Sequence, residues 1–403
     1  QPTVKIVLGG PEVGPRAEHL LADHPYIDAV VRSEGEVPFR DLVLRWRDGG
    51  TADGVSGICW RDDSGGGARV ASNLEAAIVG DLAEIASPHL AGYVDHTGRV
   101  VCLETQRGCV VKCNFCFYNK DLSIRNRRFE LDRVKQELGF WLQQDVREIY
   151  LMDPVFNLNA ARTKEICRFI AAHNQRRIPI HAEVWAEFID EEMAGLFRAA
   201  HFTTLEVGLQ TTDSTALGMV ERRLKMQPFL DGIRHLKAHK LDFELQLIGG
   251  LPGETEASFR QSVNFAASLD PPKLAAFDLR ILPGTELWRR AELLEISYEP
   301  APPYKVLSTN TMDADAIRRM RVRTDTVNLL WESATLRLLS RAEGSSYADI
   351  VDAWIERHPG SGDGDDVGKL LPGFVSDYCT VHGIQPGFFG AAAALEARAG
   401  VRS

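Results

Sequence analysis

Residues 108–117 read Gly-Cys-Val-Val-Lys-Cys-Asn-Phe-Cys-Phe and contain three cysteines in the spacing C-x3-C-x2-C. Cys109, Cys113 and Cys116 follow an apolar, strand-like run at residues 100–104. Three thiolates this close together on a loop can bind a metal cluster. An iron–sulfur cube has four irons, so three cysteines leave one iron without a protein thiolate. Because a substrate or cosubstrate can coordinate that iron, the spacing favours catalysis over electron storage.

A structural zinc site and three unrelated thiols are the competing interpretations. Zinc sites usually combine paired C-x2-C knuckles with a fourth Cys or His at set spacing. The sequence has no second pair of this kind, and we therefore expect a cluster. The other cysteines have mostly apolar neighbours and are expected to be packed thiols; they are Cys59, Cys102, Cys167 and Cys379.

With Phe115 before its third cysteine, the segment resembles the cluster loop of radical S-adenosylmethionine (SAM) enzymes, C-x3-C-x-aromatic-C. The resemblance implies that Cys109, Cys113 and Cys116 ligate a [4Fe-4S] cluster. It also implies that SAM chelates the free iron through its amino and carboxylate groups. One electron then cleaves SAM to methionine and a 5′-deoxyadenosyl radical, which requires an external donor such as flavodoxin or ferredoxin.

The composition is that of a globular protein: 403 residues, 44% hydrophobic and 25% charged. The net charge of −10 argues against nucleic acid as the main partner. The run at residues 125–128, Arg-Asn-Arg-Arg, is either a local basic patch or a solvated surface stretch. No apolar run approaches the ~20 residues of a membrane span, so no membrane partner is expected. The clustered thiols fit a reducing compartment, and we expect a cytoplasmic location.

Strand and helix patterns alternate along the chain and predict an α/β fold. Residues 99–290 are expected to form an open partial (β/α)6 TIM-like barrel, with residues 291–403 as a mainly helical C-terminal domain that includes one long helix at 316–341. Chemistry in such barrels collects at the carboxyl ends of the strands, where the cysteines lie. The six expected strands are residues 100–104, 148–153, 178–184, 204–210, 243–249 and 275–282.

Residues 1–50 resemble the C-terminal half of the Rossmann-like cobalamin-binding domain that precedes many radical SAM domains, and residues 51–98 are expected to be a connector. The resemblance rests on the turns Gly9-Gly10-Pro11 and Ser33-Glu34-Gly35-Glu36. It implies that Gly9 and Gly10 contact cobalamin. The cobalt-ligand motif D-x-H-x-x-G is absent, so either the first half of the domain is missing or the site is degenerate. The first residue, Gln1, suggests a cut chain.

Two carboxylates are candidate ligands of SAM or of a cation. Asp153 lies at the end of the second expected strand and is expected either to hold the SAM ammonium group or to cap a helix. Glu183, on the third strand, is expected to face into the barrel, where an unpaired carboxylate is costly. A bound cation or the SAM ribose would relieve that cost, and so would a nearby basic side chain.

The later strands carry motifs similar to those of cobalamin-type radical SAM proteins. Gln210 ends a strand similar to the family's "IEIGLQS", and Arg222 matches the arginine that follows it, which implies pairing with the SAM carboxylate. Arg223, the next residue, is the alternative partner for the SAM carboxylate. The competing interpretation is that both arginines form a solvated surface pair.

Two glycine-containing turns complete this resemblance. Residues 247–255 resemble "LIxGLPGET", which implies that Ile248, Gly249 and Gly250 let the backbone approach adenine. Leu282 begins a turn similar to "LLPGTxL" and is also expected near the cofactor.

The resemblance as a whole implies a cobalamin-dependent radical SAM methyltransferase acting on an unreactive carbon of a small-molecule or peptide natural product. The alternative is a radical SAM enzyme for rearrangement, cyclisation or oxidation without methyl transfer. A methylthiotransferase is rejected because enzymes of that class carry a second group of three cysteines upstream of the cluster loop. In this sequence the only cysteine upstream of Cys102 is Cys59. Three residues are candidate substrate contacts at the barrel mouth, and each could equally be a packing residue: Trp185, Arg280 and Tyr304.

Overall fold

A computed structural model of the chain describes residues 4–63, 69–119, 126–359 and 367–399. Gln1 and Arg125, which the sequence interpretation used, lie outside these ranges. The strands are β1 (Val7–Leu8), β2 (Ala29–Val31), β3 (Ile58–Asp62), β4 (Arg69–Ser72), β5 (Val100–Leu103), β6 (Gln106–Arg107), β7 (Arg127–Arg128), β8 (Glu148–Leu151), β9 (Ile180–Val184), β10 (Phe202–Gln210), β11 (Glu244–Gly249), β12 (Lys273–Asp278), β13 (Ser297–Tyr298) and β14 (Val306–Ser308).

The α-helices lie between these strands and continue to the C-terminal end of the described chain. They are α1 (Ala17–Asp23), α2 (Glu36–Arg47), α3 (Leu131–Trp141), α4 (Ala160–His173), α5 (Glu191–Ala199), α6 (Ser214–Met219), α7 (Met226–Ala238), α8 (Glu256–Ser268), α9 (Glu286–Arg289), α10 (Ala314–Trp331), α11 (Ala334–Leu339), α12 (Tyr347–Arg357), α13 (Val367–Val381) and α14 (Pro386–Ala399).

Six strands form one sheet in the order β12-β11-β10-β9-β8-β5, and every neighbouring pair is parallel. Each new strand is added beside the preceding one, which confirms the open partial barrel of six β/α units. The sixth strand ends at Asp278, four residues before the expected boundary at 282.

The two faces of this sheet differ in polarity because side chains alternate along each strand. On β9, Ile180, Ala182 and Val184 are buried under the helices, whereas His181 and Glu183 on the opposite face are partly exposed. The same alternation holds on β8, β10 and β11. The apolar face belongs to the main hydrophobic core, and the polar face lines the barrel interior.

The outer edge of β12 is covered by α10. Asn328 on α10 accepts a hydrogen bond from Ala276 N at 2.7 Å and donates one to Ala276 O at 2.8 Å, so its amide takes the place of a neighbouring strand. The single helix expected at 316–341 is wrong: α10 ends at Trp331, and Ser333 caps a separate helix, α11, by accepting from Leu336 N. In the described part of the chain, no helix is both long and apolar enough to cross a membrane.

A second sheet has the order β1-β2-β3-β4. Strands β1 and β2 are parallel, as the alternation of strands and helices predicted, whereas β3 and β4 are antiparallel. Strands β3 and β4 lie within the expected connector, residues 51–98, and pair with the N-terminal strands. The domain boundaries drawn from the sequence stay a prediction.

We expect Asn328→Ala to lower the free energy of unfolding by about 1 kcal/mol, because both backbone groups of Ala276 lose their partner. Reversible denaturant unfolding would measure this change. Arg318→Ala, at an exposed position of the same helix, is the control and should change stability less. Equal stability of Asn328→Ala and the original chain would contradict this role of Asn328.

Candidate active site

The three cysteines lie just beyond the carboxyl end of β5, after the short strand β6, which pairs with β7. Cys113 is 6% exposed, and Cys109 and Cys116 are partly buried; all three are free thiols. Backbone contacts shape the segment: Cys116 N donates to Cys113 O at 3.1 Å, and Val111 N donates to Cys109 Sγ at 3.4 Å. Phe115 packs against the main core.

Asn114, which is 1% exposed, anchors this cysteine segment from within. Its backbone N donates to Val220 O at 3.1 Å, its side chain donates to Met219 O at 2.8 Å, and its carbonyl accepts from Leu287 N at 2.8 Å. The segment is therefore attached both to the end of α6 and to α9. Sequence reasoning missed Asn114; an amide between two cysteines was the only available signal.

Asp153 anchors the start of the segment. It is fully buried, and its carboxylate accepts from Thr105 N at 2.7 Å, from Gln106 N at 3.1 Å and from the Thr105 hydroxyl. Burial raises its pKa to about 6, although these hydrogen bonds oppose the shift. Asp153 caps no helix, since Asn159 is the N-cap of α4. The structure thus gives this carboxylate a bonding role that neither sequence interpretation contained.

Arg222 is a buried cation beside the cysteines. Its Nη1 donates to Cys113 Sγ at 3.5 Å, its Nη2 donates to Gly208 O, and its guanidinium lies 5.0 Å from the centre of the Trp185 ring. It is only 7% exposed, and among the described residues its Nε has no hydrogen-bond partner. A solvated surface pair is therefore wrong for Arg222.

Burial raises the pKa of Cys109, and it raises the pKa of Cys116 to about 11. Bare thiolates would be unfavourable here, whereas binding to iron would stabilise them. Among the described residues, no group of three or more His, Cys, Asp or Glu side chains is arranged to hold a single metal ion. In a cube each thiolate binds a different iron, so three free cysteines on one anchored segment fit that group. Their role as ligands stays a prediction.

The interior face of the barrel carries a network of charged side chains. His181 contacts Glu206 at 2.7 Å and Glu148 at 3.2 Å, and the Tyr150 ring stacks on it at 4.2 Å. Glu183 accepts from the Tyr150 hydroxyl at 3.1 Å, and no Lys or Arg of the described chain forms an ion pair with it. Burial, with the nearby Glu206, raises the pKa of Glu183.

Gln210 ends β10 with φ +68° and lies against Gly208, where any side chain would overlap it. Ile248 is on the partly exposed interior face of β11. A Cβ at Gly249 would lie 2.9 Å from Thr324 Cγ2, so this glycine also allows α10 to pack closely against the end of β11. Gly250 has φ +89°, as its turn requires.

The fully buried Glu254 holds this turn closed and was not identified from the sequence. It accepts from Gly250 N at 2.9 Å and from the Thr211 hydroxyl at 2.9 Å, which connects the ends of β10 and β11. Burial raises its pKa to about 8.

The remaining candidate residues lie after β12, after β1 and in the C-terminal region. Leu282 is 37% exposed, and its carbonyl accepts from Thr285 N at 3.2 Å. Gly9 and Gly10 are exposed after β1. Tyr304 is buried and bonded to Glu12 at 2.5 Å and to Arg16 at 2.6 Å, so it is a packing residue between the N-terminal sheet and the C-terminal region.

Arg280 and Arg127 are the last two positions that the sequence analysis singled out. Arg280 contacts Asp278 at 3.6 Å beyond the end of β12. The surface stretch expected at 125–128 is wrong for Arg127, whose side chain is 9% exposed and pairs with Glu34.

Residues 103–266 match the family model described as the radical SAM superfamily. Within these residues the chain carries the domain that this family model describes. It is 28% identical over 309 residues to the cobalamin-dependent radical SAM methyltransferase TokK of Streptomyces tokunonensis, a match that covers 71% of this chain and 44% of that protein. It is 26% identical over 306 residues to the 2-(S-pantetheinyl)-carbapenam-3-carboxylate methyltransferase of Streptantibioticus cattleyicolor, with the same coverage of 71% and 44%.

The fold of this chain is similar to that of the radical SAM methyltransferase TsrM from Kitasatospora setae, whose structure contains cobalamin and a [4Fe-4S] cluster. The TM-score is 0.60 at 20% identity, and the match covers 79% of this chain and 66% of that one. The chain spans less than half the length of both methyltransferases matched by sequence.

Glu254 predicts a pH dependence of stability. Because its pKa is raised from 4.5 to about 8, the folded protein binds a proton that the unfolded chain releases, so stability falls as pH rises from about 5 to about 8. The contribution reaches about 1.4 kcal/mol per pH unit. Glu254→Gln keeps the shape and can donate to Thr211, so the difference in unfolding free energy between variant and original should grow across this window. A constant difference would contradict the assignment.

Proposed function

We propose that this chain carries the catalytic part of a cobalamin-dependent radical SAM methyltransferase that methylates an unreactive carbon of a small-molecule or peptide natural product. The observation that carries the proposal is the anchored segment with Cys109, Cys113 and Cys116 beside the buried Arg222, at the carboxyl edge of the sheet. The names of the two sequence relatives support methyl transfer as the reaction.

The cysteines would hold the cluster, one iron to each thiolate. When bound, such a cluster supplies the electron that cleaves SAM, and cobalamin supplies a carrier for the methyl group. Asn114 and Asp153 keep the cysteine segment in place before any cofactor arrives, because their contacts are made entirely within the protein. The chain thereby provides a preorganised set of three ligands.

Arg222 would bind the carboxylate of SAM. Its guanidinium is buried and already borders Cys113. Its Nε, which has no partner in the described part of the chain, can donate a hydrogen bond to a carboxylate. The positive charge also opposes the build-up of negative charge where three thiolates converge. Arg222 would therefore orient SAM next to the iron that lacks a thiolate.

Glu183 and Tyr150 would line the space taken by the adenosyl group or the substrate. A carboxylate that is mostly removed from water gains from a hydroxyl donor, and both the ribose and many natural products provide one. Gln210, Ile248 and Gly250 border the same carboxyl edge and are proposed as further contacts of SAM.

Cobalamin is proposed to bind at the N-terminal sheet, where Gly9 and Gly10 are exposed at the carboxyl end of β1. Ligands of parallel α/β sheets bind at this end of the strands. No residue of the chain is assigned as a cobalt ligand. A reducing compartment such as the cytoplasm, and a flavodoxin or ferredoxin as electron donor, complete the proposal.

Cys113→Ala tests the cluster. After anaerobic reconstitution with iron and sulfide, we expect the variant to lack the brown visible absorbance and to release no 5′-deoxyadenosine from SAM under reducing conditions, because one iron loses its ligand. Cys102, which was expected to be packed, is instead exposed on β5, and Cys102→Ala should retain both signals. A fully loaded Cys113→Ala would refute the ligand role.

Corrinoid binding tests methyl transfer separately. Protein purified anaerobically and supplied with hydroxocobalamin should retain a corrinoid spectrum after gel filtration. If SAM is cleaved but no corrinoid is retained, the methyltransferase proposal fails, and rearrangement, cyclisation or oxidation becomes the function that agrees with the data.

A further inference from the structure

Two arginines face each other beside the cysteine segment. Arg107 on β6 and Arg127 on β7 are register partners in the antiparallel pair that flanks the cysteines along the chain. Their side chains are only 17% and 9% exposed. Like charges directly opposite each other weaken a strand pair, and more so away from water. The β6–β7 pair therefore needs nearby negative charge.

Glu104, just before β6, supplies part of that charge through a contact with Arg107 at 2.8 Å. The turn after β2 and the first residue of α2, in the N-terminal sheet, supply the rest. Glu34 receives two hydrogen bonds from Arg127, at 2.5 and 2.9 Å, and Glu36 contacts Arg107 at 2.7 Å. Glu34 also lies 3.8 Å from Arg107 and accepts from Val79 N at 3.1 Å. Although burial acts to raise the pKa of Glu34, its bonds with Arg127 outweigh that effect, and the pKa lies below its ordinary value.

The strand pair connects directly to the cysteine segment. Arg107 is followed by Gly108, which has φ +86°, and by Cys109. Asn126, just before β7, donates from its side chain to Gly108 O at 3.2 Å. A change in the spacing of β6 and β7 would therefore move the backbone next to Cys109.

We propose that Glu34 and Glu36 of the N-terminal sheet are positioning residues for the cluster: by pairing with Arg127 and Arg107 they hold the β6–β7 strands together and keep Cys109 in place for iron binding. The inference rests on the proposed cluster ligation. It gives the N-terminal sheet a function in the radical SAM site itself, besides any role in binding cobalamin.

A second contact shows that docking of the N-terminal sheet does not depend on Glu34 alone. Glu12 bonds to Tyr304 at 2.5 Å, and Arg16 bonds to the same hydroxyl at 2.6 Å. Glu12 thus offers a matched control. It is an acidic residue of the same N-terminal region, but its partner Tyr304 does not belong to the strands that flank the cysteines.

The test follows the release of iron from the full, reconstituted chain to a chelator under anaerobic conditions, by the decay of visible absorbance. We expect Glu34→Gln to lose iron about tenfold faster than the original chain, and Glu12→Gln to lose it at the original rate. Adding Arg127→Gln to Glu34→Gln should slow the release again, because it removes the unpaired arginine opposite Arg107. Glu36→Gln should give a smaller acceleration and serves if Glu34→Gln does not fold.

Two results would overturn this role: release from folded Glu34→Gln at the original rate, or equal acceleration in Glu12→Gln, which would indicate general loosening of the N-terminal sheet. The thermal unfolding midpoint of each variant reports folding separately. If the original chain takes up no cluster at all, the proposed function fails first and this inference falls with it. Normal loading of the original chain with unchanged release in Glu34→Gln would refute the inference alone.

Discussion

The hydrogen bonds of the Asp153 carboxylate fix the point at which the chain leaves the barrel and enters the cysteine segment. Asp153 lies beyond the end of β8, while Thr105 and Gln106 lie beyond the end of its parallel neighbour β5. Two adjacent strand ends are thereby connected by a buried carboxylate whose pKa is raised to about 6. A buried charge of this kind is stable only while its donors stay in place, and this requirement makes the geometry of the segment rigid.

The barrel combines this rigid edge with a polar interior. His181, between Glu148 and Glu206, lies on the face opposite the hydrophobic core. Bonding to His181 lowers the pKa of Glu206, whereas burial raises that of Glu183. Neighbouring carboxylates whose proton affinities are pushed apart are a common feature of sites that bind and transform polar molecules. The open barrel keeps these groups accessible, and α10 covers the free edge of the sheet through Asn328.

The N-terminal sheet and the barrel meet through ion pairs and hydrogen bonds more than through one shared core. The hydrophobic clusters around Leu21 and Leu42 in the N-terminal sheet are separate from the main core of the barrel. Glu34 pairs with Arg127 and connects the N-terminal sheet to the barrel, whereas Glu12 bonds to Tyr304 and connects that sheet to the C-terminal region. Bonds between charged groups of this kind depend strongly on geometry, so the position of one region is sensitive to the other.

The sequence by itself determined the order of the barrel strands and the position of the cysteine segment, because alternating burial and short cysteine spacings are local properties of the chain. It also indicated Glu183, which lies on the interior face of β9, and Arg222, which lies between α6 and α7 beside Cys113. Only the tertiary structure decided which polar groups meet: Asp153 with Thr105, Glu254 with Thr211, and Glu34 with Arg127. These pairs are separated by tens of residues, and their choice depends on burial and on the few donors within reach, which no local pattern encodes.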